Sequence, residues 1–322
     1  MSRRPRIAIL GLPYFGEMLA RQLGGRGWEA AFLAHPGRSV SGWLKLVPTL
    51  ARADVVYLIG SRIEKGSPQD RLMQFRRGPV AIHWVGTDVL IAAEEHARGR
   101  ASQRIATRAV HWCDAPWLVD ELRSIGVRAG HLPLPIPLAA GEPPPLPAVF
   151  RALLYLPVDA FDREVFDMET LLRLPREFPD VPFVLLPSPA ESLPGSLPPN
   201  LEARGWVDGL DSVYREISCM VRLTSHDGTS FMVVETLARG RQAIWTFPME
   251  GAIQAEGFEE VAEALRGLIR RHHAGELGPN SEGRDFVLRH FDHQTLLASL
   301  DEHLRALLPA EFRAAPTHPS RV

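Results

Sequence analysis

Two carboxylates stand eight residues apart in the stretch TSHDGTSFMVVETLARG, residues 224–240. Asp227 falls in an Asp-Gly break after an apolar run, and Glu235 lies inside the helical, mostly apolar segment that follows. Thr229 and Ser230 are residue types that cap helix N-termini. Gly228 lets backbone N–H groups face a ligand. The first N–H groups of a helix have no partner within it and sit at the positive end of its dipole, which suits a diphosphate. Glu235 comes about one turn into the helix and shares a face with Phe231. A carboxylate there can accept from two ribose hydroxyls, and an ionised buried Glu needs such partners or a nearby Arg. The plainer alternative is a helix with one wet edge.

Three other stretches carry candidate chemistry. GLPYFGEM contains Gly11 and Gly16 but has Glu17-Met18 where a phosphate-binding P-loop has Lys-Ser or Lys-Thr. Pro13 breaks the Gly-x-Gly dinucleotide pattern, and His35 rather than an acidic residue ends the second predicted strand, so NAD is disfavoured. What remains is a strand-to-helix loop of close backbone approach, or an ordinary tight turn. In HWVGTDV, His83 is a polar contact or proton carrier, Gly86 permits an unusual backbone and Asp88 accepts from a hydroxyl or an N–H. The alternative is a core histidine beside a capping aspartate. In ARGWVDG, the backbone at Gly205 and Val207 is a candidate contact for a base.

These residues need elements to position them. Short, continuously apolar runs alternate with helical stretches, the pattern of a parallel sheet covered on both faces. In the first half the runs are residues 6–11, 29–35, 54–60, 79–86, 108–114 and 128–136, with helices over 16–27 and 116–126. Residues 132–149 hold seven prolines in 18 positions, which marks a hinge. A second alternating series follows, ending in two long amphipathic helices. The expected domains are 1–135, a linker over 136–148, a second domain over 149–310 and a loose tail over 311–322. Open α/β sheets bind ligands beyond the carboxyl ends of their strands, so two such domains would offer a cleft.

Composition bounds the rest. With 45% hydrophobic and 23% charged residues and a net charge of −2, the 322-residue chain has globular character and no overall field for nucleic acid or anionic lipid. Lys45 and Lys65 are the only lysines, so any phosphate held by a second-half side chain must use Arg or His. Cys113 and Cys219 lie in apolar runs without zinc-type spacing and read as reduced core residues. No signal peptide and no 18-residue apolar span is recognised, which predicts a cytoplasmic protein with at most peripheral membrane contact.

The 205–245 region resembles the C-terminal string of GT-B-fold retaining glycosyltransferases, glycosyltransferase family 4 in particular. Gly205-Trp206-Val207, then Tyr214, then CMVRLTSHDGTSFMVVETLARGRQAIWT are similar to the family's strand end, short helix and Glu-x7-Glu segment, with Asp227 in the first Glu position. HWVGTDV is similar to its N-terminal His-Gly-x-Asp-like loop. The resemblance implies a GT-B fold, two Rossmann-like domains facing across a cleft, with a C-terminal helix packed back on the first domain. It implies transfer from a UDP- or GDP-linked sugar to an unknown acceptor, with retention, no metal and no further cofactor. Glu235 would hold the ribose and Asp227 would sit by the donor sugar. The amides of Gly228, Thr229 and Ser230 would meet phosphate, with the base near Gly205–Val207. His83, Gly86 and Asp88 would face the reacting sugar, and the Gly11–Gly16 loop would close over donor or acceptor. The chain departs from the family after the first C-domain strand, where LLYLPVDAFDREVF lacks the usual Gly-Arg and Lys. Arg163, Arg151 and Arg222 are the candidate replacements. A non-catalytic GT-B protein and a sugar-nucleotide epimerase are the alternatives.

Overall fold

The computed structural model describes residues 3–34, 39–138, 141–159 and 163–312. The chain divides into two compact units, one of Met1–Pro135 with His293–Val322, the other of Ile136–Asp292. Each unit is built on a six-stranded sheet in which every pairing is parallel.

The first unit contains β1 (Arg6–Gly11), β2 (Glu29–Leu33), β3 (Val55–Ile59), β4 (Val80–Trp84), β5 (Val110–Cys113) and β6 (Ala129–His131), in the order β2-β1-β3-β4-β5-β6. Its helices are α1 (Pro13–Gly25), α2 (Val40–Arg52), α3 (Pro68–Phe75), α4 (Thr87–Ala97), α5 (Gln103–Arg108) and α6 (Trp117–Ser124). Every residue of β3 and β4 is buried, which accounts for their unbroken apolar runs. Ser39, Ser67 and Ser102 cap α2, α3 and α5, each hydroxyl accepting from a backbone N–H three residues on. The second strand was expected to reach His35; β2 ends at Leu33, and His35 lies outside the described residues.

The second unit contains β7 (Ala152–Leu156), α7 (Met168–Glu177), β8 (Phe183–Pro187), β9 (Leu201–Ala203), α8 (Asp211–Glu216), β10 (Cys219–Arg222), α9 (Phe231–Ala238), β11 (Gln242–Trp245), β12 (Ile253–Gln254), α10 (Gly257–His273) and α11 (Ser281–His290). Its strand order is β12-β11-β10-β7-β8-β9. Leu154, Leu156, Leu185, Val221 and Ile244 from the sheet pack with Leu171, Val261 and Leu265 from the helices in one core cluster. Cys113 and Cys219 are free and buried, and burial pushes the Cys113 thiol up to about 12.

Two boundaries differ from the sequence reading. The proline-rich segment is fastened to the second unit rather than left as a spacer. Arg241, fully buried, donates through Nη1 to the Pro144 carbonyl (2.8 Å) and through Nη2 to the Pro145 carbonyl (3.1 Å). A Cβ on Gly240 would meet the Pro143 ring at 3.0 Å, so the segment lies against that turn. At the other end, α12 (His293–Ala306) belongs to the first unit, as expected of a C-terminal helix packed back on the first domain, although the domain boundary was placed at residue 310. A buried carboxylate contributes to that attachment beside the buried Leu296, Leu297, Leu300 and Leu304. Asp301 accepts from Trp28 Nε1 (2.6 Å), Arg26 Nε (3.0 Å) and Arg305 Nε (2.9 Å). The expected loose tail lies outside the described residues from position 313 onward.

Candidate functional site

In an open parallel sheet, a crevice forms at the carboxyl ends of the strands where the chain changes its direction of travel across the sheet. In the second unit that point lies between β7 and β10. From β7 the chain moves outward to β8 and β9, then crosses back to β10 and continues to β11. The register Val221↔Leu154 makes Arg222 and Tyr155 the next residues toward the carboxyl edge.

Arg222 is the last residue of β10. Its Nε donates to Asp227 Oδ2 at 2.6 Å and its Nη2 to Oδ1 at 3.1 Å. The two side chains are only 11% and 13% exposed. The guanidinium carbon lies 4.6 Å from the Tyr155 ring centroid and 5.0 Å from that of Phe166, within cation–π range. Burial works to lower the Arg222 pKa, and the Asp227 carboxylate together with Tyr155 more than offsets it, so the net direction is upward. Asp227 thus engages a guanidinium with both oxygens, which the sequence reading did not foresee.

Three residues past Asp227, Ser230 caps α9, its Oγ accepting from Val233 N–H (3.4 Å). Gly228, Thr229 and Ser230 are buried in the turn before the helix. One turn into α9, the half-buried Glu235 accepts from the Tyr214 hydroxyl through Oε2 at 3.0 Å. Burial raises its pKa, against the Tyr214 hydrogen bond and the Arg239 charge that pull it down. Tyr214 comes from α8, the short helix that the resemblance had aligned without giving its tyrosine a role. Glu235 is thus half-buried with a dedicated donor in Tyr214, and Asp227 and the Gly228–Ser230 turn lie in the connection that leads from β10 into the same helix.

Gly205 has φ +69°, the left-handed region, in the loop after β9, and Val207 is partly buried two residues on. Between them Trp206 is 81% exposed.

Arg163 has another task. Its Nε donates to the Pro157 carbonyl (2.6 Å), Nη1 to the Ser192 carbonyl (2.8 Å), and Nη2 to Ser188 Oγ (2.7 Å) and Ser192 Oγ (2.8 Å). Four of its five donors are used; three tie the loop after β7 to the loop after β8, and Nε closes the loop after β7 on itself. Its expected part on the donor phosphate is corrected to a loop fastener. Arg151 lies just before β7, at the opposite edge of the sheet, and pairs with Glu216 (2.6 Å).

The first-unit residues are built into the core. His83 is fully buried, with Nδ1 and the Tyr57 hydroxyl 2.7 Å apart, and burial lowers its pKa to about 3. It is buried and neutral, which matches the core-histidine alternative rather than a proton carrier. Asp88 accepts from Val85 N–H (3.0 Å) and Ser61 N–H (3.3 Å), joining the loops after β3 and β4. This corrects the expectation that Asp88 faces the reacting sugar. Gly86 adopts φ 121°, ψ −100° at the start of α4. The Gly11–Gly16 loop is also corrected. β1 ends at Gly11 and α1 starts at Pro13, so the loop is Leu12 alone and Gly16 lies within the helix. Gly11 has φ +121° and a Cβ there would come 1.8 Å from the Ile59 carbonyl oxygen; at Gly16 it would meet the Phe32 ring at 2.3 Å. Both glycines answer to packing.

Among the described residues, no group of three His, Cys, Asp or Glu side chains is placed to hold a metal ion. No described helix is long and apolar enough to cross a membrane.

No protein-family model matches this chain, and no curated protein matches it by sequence. Solved structures do. Sucrose-phosphate synthase from Thermosynechococcus elongatus is similar over 94% of this chain and 99% of its own, with a TM-score of 0.71 and 14% identity. TarM is similar with a TM-score of 0.59 and 9% identity over 80% of this chain, which spans 56% of TarM. The pneumococcal O-GlcNAc transferase GtfA, solved with UDP and GlcNAc, has a TM-score of 0.53 and 11% identity over 79% of this chain and 56% of its own. At these identities the likeness is one of fold, and that fold, two parallel six-stranded α/β units, is GT-B.

Proposed function

We propose that the protein is a glycosyltransferase of the retaining, family 4-like type, moving a sugar from a nucleoside diphosphate to an acceptor hydroxyl in the cytoplasm. The observation that carries this reading is Glu235: a half-buried carboxylate one turn into α9, held by Tyr214, in the unit whose switch point carries Arg222 and Asp227. A ribose presents the paired hydroxyls that such a carboxylate takes. The buried Gly228–Ser230 turn leads into the N-terminus of α9, where backbone N–H groups favour a diphosphate. The base is assigned to the Gly205–Val207 loop.

In the reaction the anomeric C–O bond to the diphosphate breaks and the acceptor oxygen bonds the anomeric carbon on the same face. The acceptor proton leaves with the diphosphate oxygen. The chain's contribution is to stabilise charge growing on the leaving group, through the α9 dipole and a cation. No protein nucleophile and no metal is invoked. A non-catalytic nucleotide binder is the second reading, favoured by the engagement of both Asp227 oxygens by Arg222.

A thermal-shift series with UDP, GDP and NAD tests the site. One nucleoside diphosphate is expected to raise the melting temperature and NAD is not; at a hundredfold excess over Kd the stabilisation is about 2.7 kcal/mol. Glu235→Ala is expected to abolish the shift while the protein stays folded. A folded variant with undiminished nucleotide affinity would falsify the ribose assignment. Release of free sugar from a donor, or its transfer, separates the enzyme from the non-catalytic binder.

A further inference from the structure

We propose that Arg222 is the cation that meets the donor diphosphate and that Asp227 is the residue that positions it. The proposal rests on the nucleotide-sugar reading and adds the residue that the family's Gly-Arg and Lys positions do not supply. A diphosphate needs a charge partner, and the second unit has no lysine to offer. Several of its other arginines are committed elsewhere in the unit. Arg163 fastens loops, Arg151 and Arg204 pair with Glu216, Arg239 pairs with Asp211, and Arg241 is buried on the proline-rich segment.

Arg222 differs in place and in presentation. It ends β10 at the switch point, where the parallel sheet directs ligands. Asp227 takes its Nε and Nη2 and the Tyr155 side chain also hydrogen-bonds the guanidinium, while Nη1 is not one of the donors to Asp227. Tyr155 and Phe166 pack against the guanidinium and limit its rotation, which leaves less entropy to lose when it grips an anion. Asp227 directly precedes Gly228, so the arginine's partner and the turn leading into α9 are consecutive in the chain. With both oxygens on Arg222, Asp227 acts on the donor through the arginine rather than by touching sugar hydroxyls. The short Asp side chain, in place of the family's Glu, fits that exchange of roles.

The test compares binding of UDP, GDP, uridine and guanosine by calorimetry, in the wild type and in the double variant Arg222→Gln, Asp227→Asn. The double variant keeps two hydrogen-bonding side chains of similar shape and removes both charges. Wild-type protein is expected to bind one diphosphate more tightly than its nucleoside. The double variant is expected to narrow that gap by about 10- to 100-fold, the scale of lost charge-assisted hydrogen bonds, with nucleoside affinity retained. An unchanged gap in the folded double variant overturns the assignment of Arg222 and leaves the nucleotide site standing. Equal loss of nucleoside and diphosphate binding assigns the pair a structural role and also overturns it. Wild-type protein indifferent to all four compounds overturns the nucleotide-site reading and this assignment together. If the double variant does not fold, Arg222→Lys keeps the charge but loses the planar fork. It is expected to narrow the gap several-fold, and an unchanged gap counts against the proposal in the same way.

Discussion

Arg163 and Arg222 carry the same side chain and have opposite situations, and their surroundings explain why. Arg163 projects into loops rich in carbonyls and hydroxyls, which take four of its donors. Arg222 sits on a strand end with one carboxylate and two rings. The same contrast holds for carboxylates and imidazoles in the first unit, where burial sets protonation. Burial raises Asp88 from the ordinary 3.8 to about 7, so the folded state holds its proton more tightly than the unfolded chain. Its contribution to stability is complete below about pH 4 and is lost as pH rises to about 7. Burial lowers His83 from 6.5 to about 3, so its contribution is present above about pH 6.5 and is lost as pH falls toward 3. Urea melts of wild type and Asp88→Asn at pH 5 and pH 8 check the first sign. The variant is expected to lack the part of the stability loss between those pH values that Asp88 causes.

At the scale of elements, two short connections set how the strands meet the helices. The β1–α1 connection is one residue, because Gly11 brings the strand end against the β3 backbone and Pro13 is suited to the first helical turn. Gly11→Ala forces a Cβ onto the Ile59 carbonyl at a backbone angle that only glycine tolerates. It is expected to cost on the order of 3 kcal/mol or more in chemical denaturation, among the largest single-residue effects. The α9 cap is milder. Ser230→Ala removes the acceptor for Val233 N–H and is expected to cost about 1 kcal/mol. A cost within error would show that other contacts set the start of α9.

At the scale of the whole molecule, the chain leaves the first unit at Pro135 and returns to it at His293. Asp301 secures that return through Trp28, Arg26 and Arg305, and Arg305 also donates to the Arg26 carbonyl at 2.7 Å and lies over the Trp28 ring. Removing one partner of such a buried pair leaves an uncompensated charge. Asp301→Ala is therefore expected to cost about 3–5 kcal/mol and to speed hydrogen exchange across α12. Exchange in α12 equal to wild type would place the attachment of this helix in its apolar contacts alone.

The sequence by itself determined the period of each element. Continuous apolar runs specify strands covered on both faces, and the Asp-Gly break, the capping serine and the glycine stops bound the helices. It also marked Glu235, because a lone carboxylate in an apolar helix is conspicuous without any contact being known. Local pattern also registered Gly11, Gly16, His83 and Asp88, but as polar or flexible positions at strand ends. Whether such a residue faces a ligand or a neighbouring strand depends on groups 20 to 50 residues away, such as Ile59, Tyr57 and Ser61. The capture of Arg163, the pairing of Arg222 with Asp227 beneath Tyr155, and the return of α12 to Trp28 depend likewise on tertiary packing. A side chain's donors go to whichever acceptors packing brings within about 3 Å, and only the folded chain fixes which those are.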